Sequence, residues 1–338
     1  MADDKIFVDM QRWHMDNDIH GPDRQRIHKS WFRDDTVDSW RHRRMYETCT
    51  PLAMRYQGAS WLTIGDGRYG LDSVRLRKLF GITSVLPTDI GSCLLEQGKA
   101  RGLFGEYAVE NAEKLTFKDE AFDVVFCKES YHHFPRPTIA LYEMLRVSRE
   151  VVILIEPLED VTLGYQFSRR DSIRVLIESV RSKLIGQPHP HLADVLPDVV
   201  TINPVSHGFE DYGDGTGNYI YGLSIRETEK IVHGLDLGGM AWLGFNDHYV
   251  KGCEFEPAVS GNPMFVEVQK AIQHLDEQCQ RFPRCQKYEF ATVVLFKSAI
   301  DPVLRDEMMN AGYRFVRKKT NPVLGAEKAV PGMANQPE

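Results

Sequence analysis

The sequence predicts an α/β fold with a doubly wound, mostly parallel sheet of seven strands, and three observations carry that prediction. Between Trp61 and Pro157, short apolar runs alternate with amphipathic stretches, the pattern of a parallel sheet covered by helices on both faces. The run WLTIGDGRYG at 61–70 joins a short apolar strand to a glycine turn and a helix. The 338 residues suffice for one enlarged domain or two closely packed ones.

The N-terminal segment, residues 1–58, mixes aromatic side chains with many charges. We expect it to form helices that cover the core. The best helical candidate within it runs from Val37 to Arg55 and ends near Tyr56 and Gly58.

Residues 59–157 are predicted to form the ligand-binding half of the core. A helix is expected from Pro137 to Val147, where Leu141, Met144 and Leu145 recur at helical spacing. The five strands of this half are expected near residues 61–65, 83–88, 104–109, 122–127 and 150–155.

Residues 158–223 break this regularity and are predicted to be a long insertion after strand five. The part from Gly186 to Tyr221 is rich in Pro, Gly, His and Asp, and long loops of this kind in compact enzymes are commonly lids or substrate walls. Before it, an amphipathic helix is expected to cover the active-site side with an apolar face made of Ile173, Leu176, Ile177, Val180 and Leu184.

Residues 224–318 are predicted to complete the core. Ser224 and Glu227 match a capping box at the start of a helix that reaches His233. Residues 319–338 are expected to be a mobile tail. The remaining elements are a strand at 240–250, a helix at 264–275 and a buried strand at 288–297.

The composition excludes several classes of partner. The chain has 41 basic and 48 acidic residues, and its net charge of -7 opposes the binding of nucleic acid backbones. No apolar run approaches the roughly 20 residues needed to cross a bilayer, and the first residues lack a leader pattern, so we expect a cytoplasmic protein that binds no membrane. The six cysteines are scattered without a CxxC pair, which favours reduced thiols over disulfides or a zinc site.

The glycine turn and a downstream acid predict a nucleotide site. Gly65 and Gly67 allow a sharp turn and a close approach of a ligand, and Gly70 lets the next helix pack against the sheet. Asp89 ends the second apolar run, where a carboxylate can accept hydrogen bonds from ribose hydroxyls. Alone, this pattern fits nicotinamide, flavin and sulfonium nucleotides alike.

Four ordered motifs narrow the choice. They are GDGRYG at 65–70, Asp89, the triplet Asn111–Glu113 and FDVV at 122–125. With them the chain resembles a class I S-adenosylmethionine-dependent methyltransferase of the broad small-molecule group. The resemblance is strong from Trp61 to about Pro157, and the last three core elements match it more loosely.

The resemblance implies a set of cofactor contacts. The backbone at Gly65 and Gly67 would lie against the methionine part, Asp89 would hold the ribose, and Asn111 would face the adenine edge. Lys128 would lie beneath the cofactor, with its stem on apolar surface. The expected cofactor set is completed by Asp66, Gly70, Ile90 and Ala112.

Two positions depart from the family pattern. The family often has an acid two places before its first glycine, where this chain has Thr63, so a hydrogen bond in the methionine pocket would be lost or made through water. Asn111 replaces the usual Asp, but an amide oxygen still accepts a hydrogen bond from the adenine amine.

Structural alternatives stand beside these functional assignments. The three glycines would also suit a plain strand-to-helix turn, although their agreement with Asp89 favours a ligand. Asp89 would also suit the N-cap of a helix beginning near Ser92. For Lys128 the alternative is a solvated surface position, which is the commoner environment of a lysine that follows a strand.

Two adjacent histidines after strand four are the expected catalytic residues. Methyl transfer is mainly a matter of alignment, but an alcohol acceptor also loses a proton, and imidazole with its usual pKa of about 6.5 is the natural base. We expect His133 to be this base, with His132 or Tyr131 lining the pocket. The alternative is a structural histidine that hydrogen bonds a backbone carbonyl.

Other polar residues are weaker candidates. Asp247 and His248 end the strand near 240–250, together with Asn246, and are predicted to contact the acceptor. Histidines and acids in the insertion match no known metal-ligand spacing, so no metal is predicted. These residues are His189, His191, His207, Asp211 and Asp214.

Acidic residues suggest a further hypothesis, an acidic wall around a cationic acceptor such as an amino sugar. Two groups would form it. They are Glu156, Glu159 and Asp160, and Glu210, Asp211 and Asp214.

The resemblance therefore implies methyl transfer to oxygen or nitrogen of a small polar acceptor, with a sugar or amino sugar in secondary metabolism as the narrower expectation. Two alternatives stay open. The three glycines also satisfy the fingerprint of a nicotinamide-dependent dehydrogenase, although no second mononucleotide half follows Pro157. A catalytically silent methyltransferase-like binding subunit is the other, supported by Thr63 alone. A homodimer also stays open.

Overall fold

The computed structural model describes residues 22–159, 217–281 and 288–316, the backbone of 207–211, and a few isolated positions. Most of the predicted insertion and the whole predicted tail at 319–338 lie outside this part of the chain. Five isolated positions carry the predicted apolar face of the 173–184 helix. They are helical as expected, but their side chains are 49–81% exposed, so the predicted cover of the active-site side is not formed by them.

Three helices precede the sheet, namely α1 (Pro22–Ser30), α2 (Val37–Glu47) and α3 (Thr50–Arg55). Thr36 caps α2 in a capping box with Ser39, because each side chain accepts a hydrogen bond from the other residue's backbone N–H. The sequence predicted one helix from Val37 to Arg55. Pro51 in the first turn of α3 has no N–H to donate, and the chain forms two helices instead.

The first half of the core alternates strands and helices as predicted. A 3₁₀ turn at Tyr131–His133 follows the fourth strand. The elements are β1 (Trp61–Ile64), α4 (Leu71–Phe80), β2 (Val85–Asp89), α5 (Cys93–Ala100), β3 (Ala108–Val109), β4 (Phe122–Lys128), α6 (Pro137–Val147) and β5 (Ser148–Pro157).

A short hairpin precedes the second half of the core. Ser224 begins the next helix, because its side chain accepts a hydrogen bond from the Glu227 N–H. The elements are β6 (His207–Asp211), β7 (Gly217–Tyr221), α7 (Ile225–Gly234), β8 (Gly239–Phe245), α8 (Pro263–Arg281), β9 (Phe290–Phe296), α9 (Pro302–Asn310) and β10 (Arg314–Phe315).

The main sheet has the strand order β10-β8-β9-β5-β4-β1-β2-β3. Strand β1 pairs in parallel with β2 on one side and β4 on the other, whereas β9 runs antiparallel to both β5 and β8. This confirms the predicted mostly parallel α/β fold, and the two-residue β10 adds an eighth strand. The strand order reverses beside β1, which places a crevice at the carboxyl ends of β1 and β4.

Alternating side chains of the central strands form two apolar layers. Leu62, Val125 and Leu154 face the layer that contains α6. Trp61 and Phe126 face the opposite layer, which includes side chains of α2, α3 and α4. Helices α2 and α3 therefore belong to the packed core.

The cysteines of the described part of the chain are free thiols, as predicted, and Cys285 lies outside it. Burial raises the pKa of Cys49 and that of Cys253 to about 12. Burial, together with the nearby Glu156 carboxylate, raises the pKa of Cys127 well above its usual value. In the same part of the chain, no helix has both the length and the apolar character that a membrane span requires.

Candidate functional site

The glycine turn after β1 is joined directly to the turn after β4. Gly65 has a φ of +71°, and its carbonyl oxygen accepts a hydrogen bond of 2.8 Å from the Ser130 hydroxyl. A Cβ at this position would collide with the Ser130 side chain. Both the backbone conformation and the close approach therefore require glycine.

Asp66 organises the start of α4. Its Oδ1 accepts the Asp72 N–H at 2.9 Å, and its Oδ2 accepts the Ser73 N–H at 3.0 Å and the Ser73 and Thr63 hydroxyls at 2.8 and 2.9 Å. Burial, together with the nearby Asp72, raises the pKa of Asp66 well above its usual value. Thr63, the departure from the family pattern, thus serves as a donor to this carboxylate. The predicted cofactor contact of Asp66 stays a prediction.

The other two glycines of the turn have different surroundings. Gly70 has a φ of +67°, and a Cβ there would collide with the Phe104 ring, so its role is the close packing of the turn. Gly67 is buried, and its carbonyl oxygen accepts a hydrogen bond of 3.0 Å from the Tyr69 N–H.

Asp89 lies buried at the end of β2, at the predicted edge of the sheet. Its Oδ1 accepts the Gly91 N–H at 2.8 Å, and Ser92 is the N-cap of α5, so Asp89 does not fill that alternative role. The Ile90 carbonyl oxygen accepts a hydrogen bond of 3.4 Å from Arg12 Nε, so the N-terminal segment reaches this end of the crevice.

The predicted adenine-binding pair follows β3. Asn111 Oδ1 accepts the Glu113 N–H at 2.9 Å, and Ala112 is buried. A carbonyl-type oxygen has two lone pairs, so Asn111 keeps an acceptor position for a ligand.

An open cleft lies between the end of α1, helix α2 and the carboxyl ends of β1 and β4. Gly65 and Ser130 form part of its wall. Cations and carboxylates are mixed along the rest. Among them are Arg33, Arg68, Arg75, Lys128, Asp38, Asp72 and Glu129.

Lys128 is buried in this cleft, so the alternative of a solvated surface lysine is wrong. Its ammonium group lies 2.9 Å from His42 Nδ1 and 5.1 Å from the centre of the Tyr46 ring, and it pairs with Glu129. The contact with His42 connects β4 to α2. The predicted contact of Lys128 with the cofactor stays a prediction.

Glu129 is a feature of the cleft that sequence reasoning missed. It has a φ of +51°, unusual for a non-glycine residue, and His42 Nδ1 lies 3.0 Å from its Oε2. Burial acts to raise the pKa of Glu129, but the charges of Lys128 and His42 outweigh it and hold this pKa well below its usual range. The available signal was its place at the carboxyl end of β4, directly after Lys128.

The two candidate catalytic histidines have different partners. His132 Nδ1 lies 2.6 Å from Oε2 of the fully buried Glu156. His133 Nδ1 lies 2.8 Å from the Tyr219 carbonyl oxygen of β7 and 2.9 Å from Asn218 Nδ2. His133 therefore has the backbone contact expected of the structural alternative, whereas His132 has a carboxylate partner.

The three residues predicted to contact the acceptor have separate surroundings within the protein. The Tyr131 ring is buried, and its burial raises its pKa. Asp247 is buried against Arg41 of α2, with Arg41 Nε 3.1 Å from its Oδ1. His248 follows it and is half-buried. The Asp247 carboxylate is thus neutralised by the protein itself, and its predicted contact with an acceptor stays a prediction.

Most of the residues considered for a metal site or for an acidic wall belong to the predicted insertion. Within the described residues, no group of three or more His, Cys, Asp or Glu side chains could hold a metal ion. Glu156 is fully buried with both oxygens hydrogen bonded, so its predicted place in an acidic wall is wrong. The side chains of His189, His191, His207, Asp160, Glu210, Asp211 and Asp214 lie outside the described residues.

Comparisons with known proteins complete this picture. A family model described as a methyltransferase domain matches residues 62–155. No curated protein matches the chain.

Solved structures give weaker likenesses. A candidate methyltransferase of Bacillus halodurans shares 16% identity over 75% of this chain and 96% of its own, with a TM-score of 0.38. A candidate sarcosine dimethylglycine methyltransferase of Galdieria sulphuraria shares 14% over 76% and 86%, with a TM-score of 0.43. Phosphoethanolamine N-methyltransferase 2 of Haemonchus contortus shares 13% over 85% and 60%, with a TM-score of 0.44. Likenesses of this extent say nothing about the acceptor.

The matched stretch, residues 62–155, contains the glycine turn, the acid that ends β2, the turn after β3 and the strand β4 that leads to Lys128. These are the parts that the sequence assigned to S-adenosylmethionine. Residues 62–155 are therefore a methyltransferase domain, and the resemblance to the S-adenosylmethionine-dependent methyltransferases is confirmed over this part of the chain.

Proposed function

We propose that the chain transfers the methyl group of S-adenosylmethionine to oxygen or nitrogen of a small polar acceptor. The observation that carries this proposal is the charged cleft beside the Gly65 turn, whose outer walls are the chain's own helices α1 and α2. A concave cleft walled on one side by the chain's own helix suits a small molecule better than a protein or nucleic acid chain.

The residues present fit the cofactor. Gly65 keeps the turn open to a ligand, Asp89 ends β2 where ribose hydroxyls are expected, and Asn111 retains an acceptor for an adenine amine. Arg68 and Glu129 line the cleft beside the turn, where an amino acid carboxylate and ammonium group need opposite charges. When bound, S-adenosylmethionine supplies an electrophilic methyl carbon.

The chain's part in the reaction is to align the acceptor, exclude water and accept a proton. Ser130 lines the cleft and is the N-cap of the short turn Tyr131–His133, which carries the candidate bases. Mixed carboxylates and cations favour a polar acceptor, with a cationic one such as an amino sugar as the narrower form of the proposal.

The rival functions are separable. The family match and the antiparallel β9 favour methyl transfer over a nicotinamide-dependent dehydrogenase. A silent binding subunit was supported by Thr63 alone, and Thr63 instead hydrogen bonds Asp66 within the turn.

The test is an acceptor screen with S-adenosylmethionine labelled on its methyl group. Amino sugars, neutral sugars, primary amines, phenols, a mixed protein substrate and RNA would be offered separately, and labelled products identified by mass spectrometry. We expect label in one class of small acceptor. Label only in protein or RNA would overturn the proposal, as would binding of S-adenosylhomocysteine without transfer to any acceptor.

A further inference from the structure

Glu156, near the end of β5, is a fully buried carboxylate next to the turn at Tyr131–His133. An isolated buried carboxylate is costly, so its hydrogen-bond partners show what holds it there. Its Oε1 accepts the backbone N–H groups of Ser130 and Tyr131, both at 2.9 Å, and Cys127 Sγ lies 3.8 Å away. Oε2 faces His132 Nδ1 at 2.6 Å. One carboxylate oxygen therefore holds the backbone of the turn, and the other contacts the ring of His132.

This arrangement selects one tautomer of His132. An ionised carboxylate can only accept hydrogen bonds, so Nδ1 must carry the hydrogen and Nε2 must carry the lone pair when the ring is neutral. No other described residue hydrogen bonds the His132 ring, whose side chain is 13% exposed. The ring is therefore oriented by a buried anion at one nitrogen and has an acceptor at the other.

We propose that Glu156 is a positioning residue that holds His132 with its hydrogen on Nδ1, so that Nε2 accepts the proton of the methyl acceptor. This inference rests on the proposed function and favours His132 over His133 as the base. It also explains why the chain keeps a buried carboxylate at this place, since the Glu156 charge offsets that of the imidazolium that forms.

The proton transfer balances. The acceptor's O–H or N–H bond breaks and its proton goes to His132 Nε2, while the acceptor atom forms a bond to the methyl carbon. The carbon–sulfur bond breaks with its electron pair on sulfur, so the positive charge passes from sulfur to the imidazole. Solvent then takes the proton from the ring.

Glu156→Gln tests this assignment with little change of shape. The glutamine oxygen can still accept the Ser130 and Tyr131 N–H groups, while its amide donates to Nδ1 and moves the ring hydrogen to Nε2. We expect the methyl-transfer rate to fall about 10³- to 10⁴-fold, as when a triad aspartate is changed to asparagine. Binding of S-adenosylhomocysteine should change less than threefold, roughly 0.6 kcal/mol.

A second readout does not need activity. Nitrogen-15 NMR of the wild-type ring at a pH where it is neutral should show Nδ1 protonated, and Glu156→Gln should show Nε2 protonated. Glu143→Gln is the matched control, because Glu143 also accepts a backbone N–H, from Leu115 at 2.9 Å, but on α6. That variant should leave both the tautomer and the rate unchanged.

The outcomes separate this inference from the proposed function. Wild-type His132 protonated on Nε2 would overturn the positioning role whatever the acceptor, even if Glu156→Gln failed to fold. Unchanged transfer by Glu156→Gln would also overturn it while leaving methyl transfer to a small acceptor intact. If the ring showed the predicted tautomers but label appeared only in protein or RNA, the pairing of Glu156 with His132 would be supported. The proposed small acceptor would be overturned.

Discussion

The glycine turn of β1 and the helices α1 and α2 bound the same cleft, but they are held by different contacts. Within the turn, Asp66 bonds Thr63 and Ser73, all inside eleven consecutive residues. Helix α2 is held by charges distant in sequence, where Arg41 pairs with Asp247 and His42 contacts Lys128. We therefore expect substitutions in the glycine turn to weaken ligand binding. Substitutions that break the contacts of α2 should instead lower the free energy of unfolding.

The largest expected effect is on the helical wall. Arg41→Met leaves Asp247 buried without its partner, and breaking a buried ion pair in this way costs about 3–5 kcal/mol. Urea unfolding measures this loss. Arg43→Met on the same helix is the control, because Arg43 pairs with Glu47 at the surface and should cost less than about 1 kcal/mol. Equal losses for both arginines would contradict the comparison.

The next effect tests the turn. Gly65→Ala forces a side chain into a left-handed conformation and against Ser130. We expect S-adenosylhomocysteine to bind about 10- to 100-fold more weakly, or 1.4–2.7 kcal/mol, by calorimetry. Gly58→Ala is matched, since a Cβ there meets nothing within 4 Å. Normal binding by Gly65→Ala would show that the turn does not touch the ligand.

The third prediction concerns Glu129, which links the two regions because it contacts Lys128 of β4 and His42 of α2. Because the pKa of Glu129 is held below its unfolded value of about 4.3, its stabilisation is present above that pH and is lost as the pH falls through the folded pKa. Glu129→Gln should cost about 1.5–3 kcal/mol at neutral pH, and the deficit should shrink in acid. Urea unfolding between pH 3 and pH 7, values chosen to bracket about 4.3, measures it.

The control for this prediction is Glu227→Gln, on the exposed first turn of α7. Its deficit should be small and should stay nearly constant over the same range. If the stability deficit of Glu129→Gln instead grew as the pH fell, the pH dependence would be opposite to the expected one. The ion pair of Glu129 would then not be the source of the stabilisation.

The smallest effect concerns Asn111. Asn111→Asp keeps the oxygen that accepts the Glu113 N–H and restores the residue usual in the family. We expect the affinity for S-adenosylhomocysteine to change less than tenfold, roughly 1.4 kcal/mol. Asn111→Leu, which removes the acceptor, should weaken binding more. The reverse order would mean that the amide group, not the oxygen, recognises the ligand.

The elements that were predicted correctly are those that local sequence patterns determine. The strands around Gly65 and Asp89 and the helix at Pro137–Val147 follow from apolar spacing and turn residues within short windows. The partners of Lys128 and Asp247 could not be predicted, because they lie 86 and 206 residues away in the chain. Without those partners, a lysine after a strand has the pattern of a surface residue.

The same limit applies to the turn at Tyr131–His133. Two adjacent histidines marked it, but only the fold shows that Glu156, 24 residues on, faces the first of them. The edge strand β10, with two residues, is too short for any periodic pattern. The break between α2 and α3 was available from Pro51 and was overlooked in favour of continuous helical spacing.

The buried cysteines give the molecule built-in chemical reporters. With their pKa values near 12, Cys49 and Cys253 hold almost no thiolate at neutral pH, and alkylating reagents attack the thiolate. Labelling must therefore wait until the surrounding helices open. The rate at which each thiol is alkylated reports local opening at the two ends of α2, since Cys49 follows that helix and Cys253 Sγ lies 3.7 Å from Asp38 in its first turn.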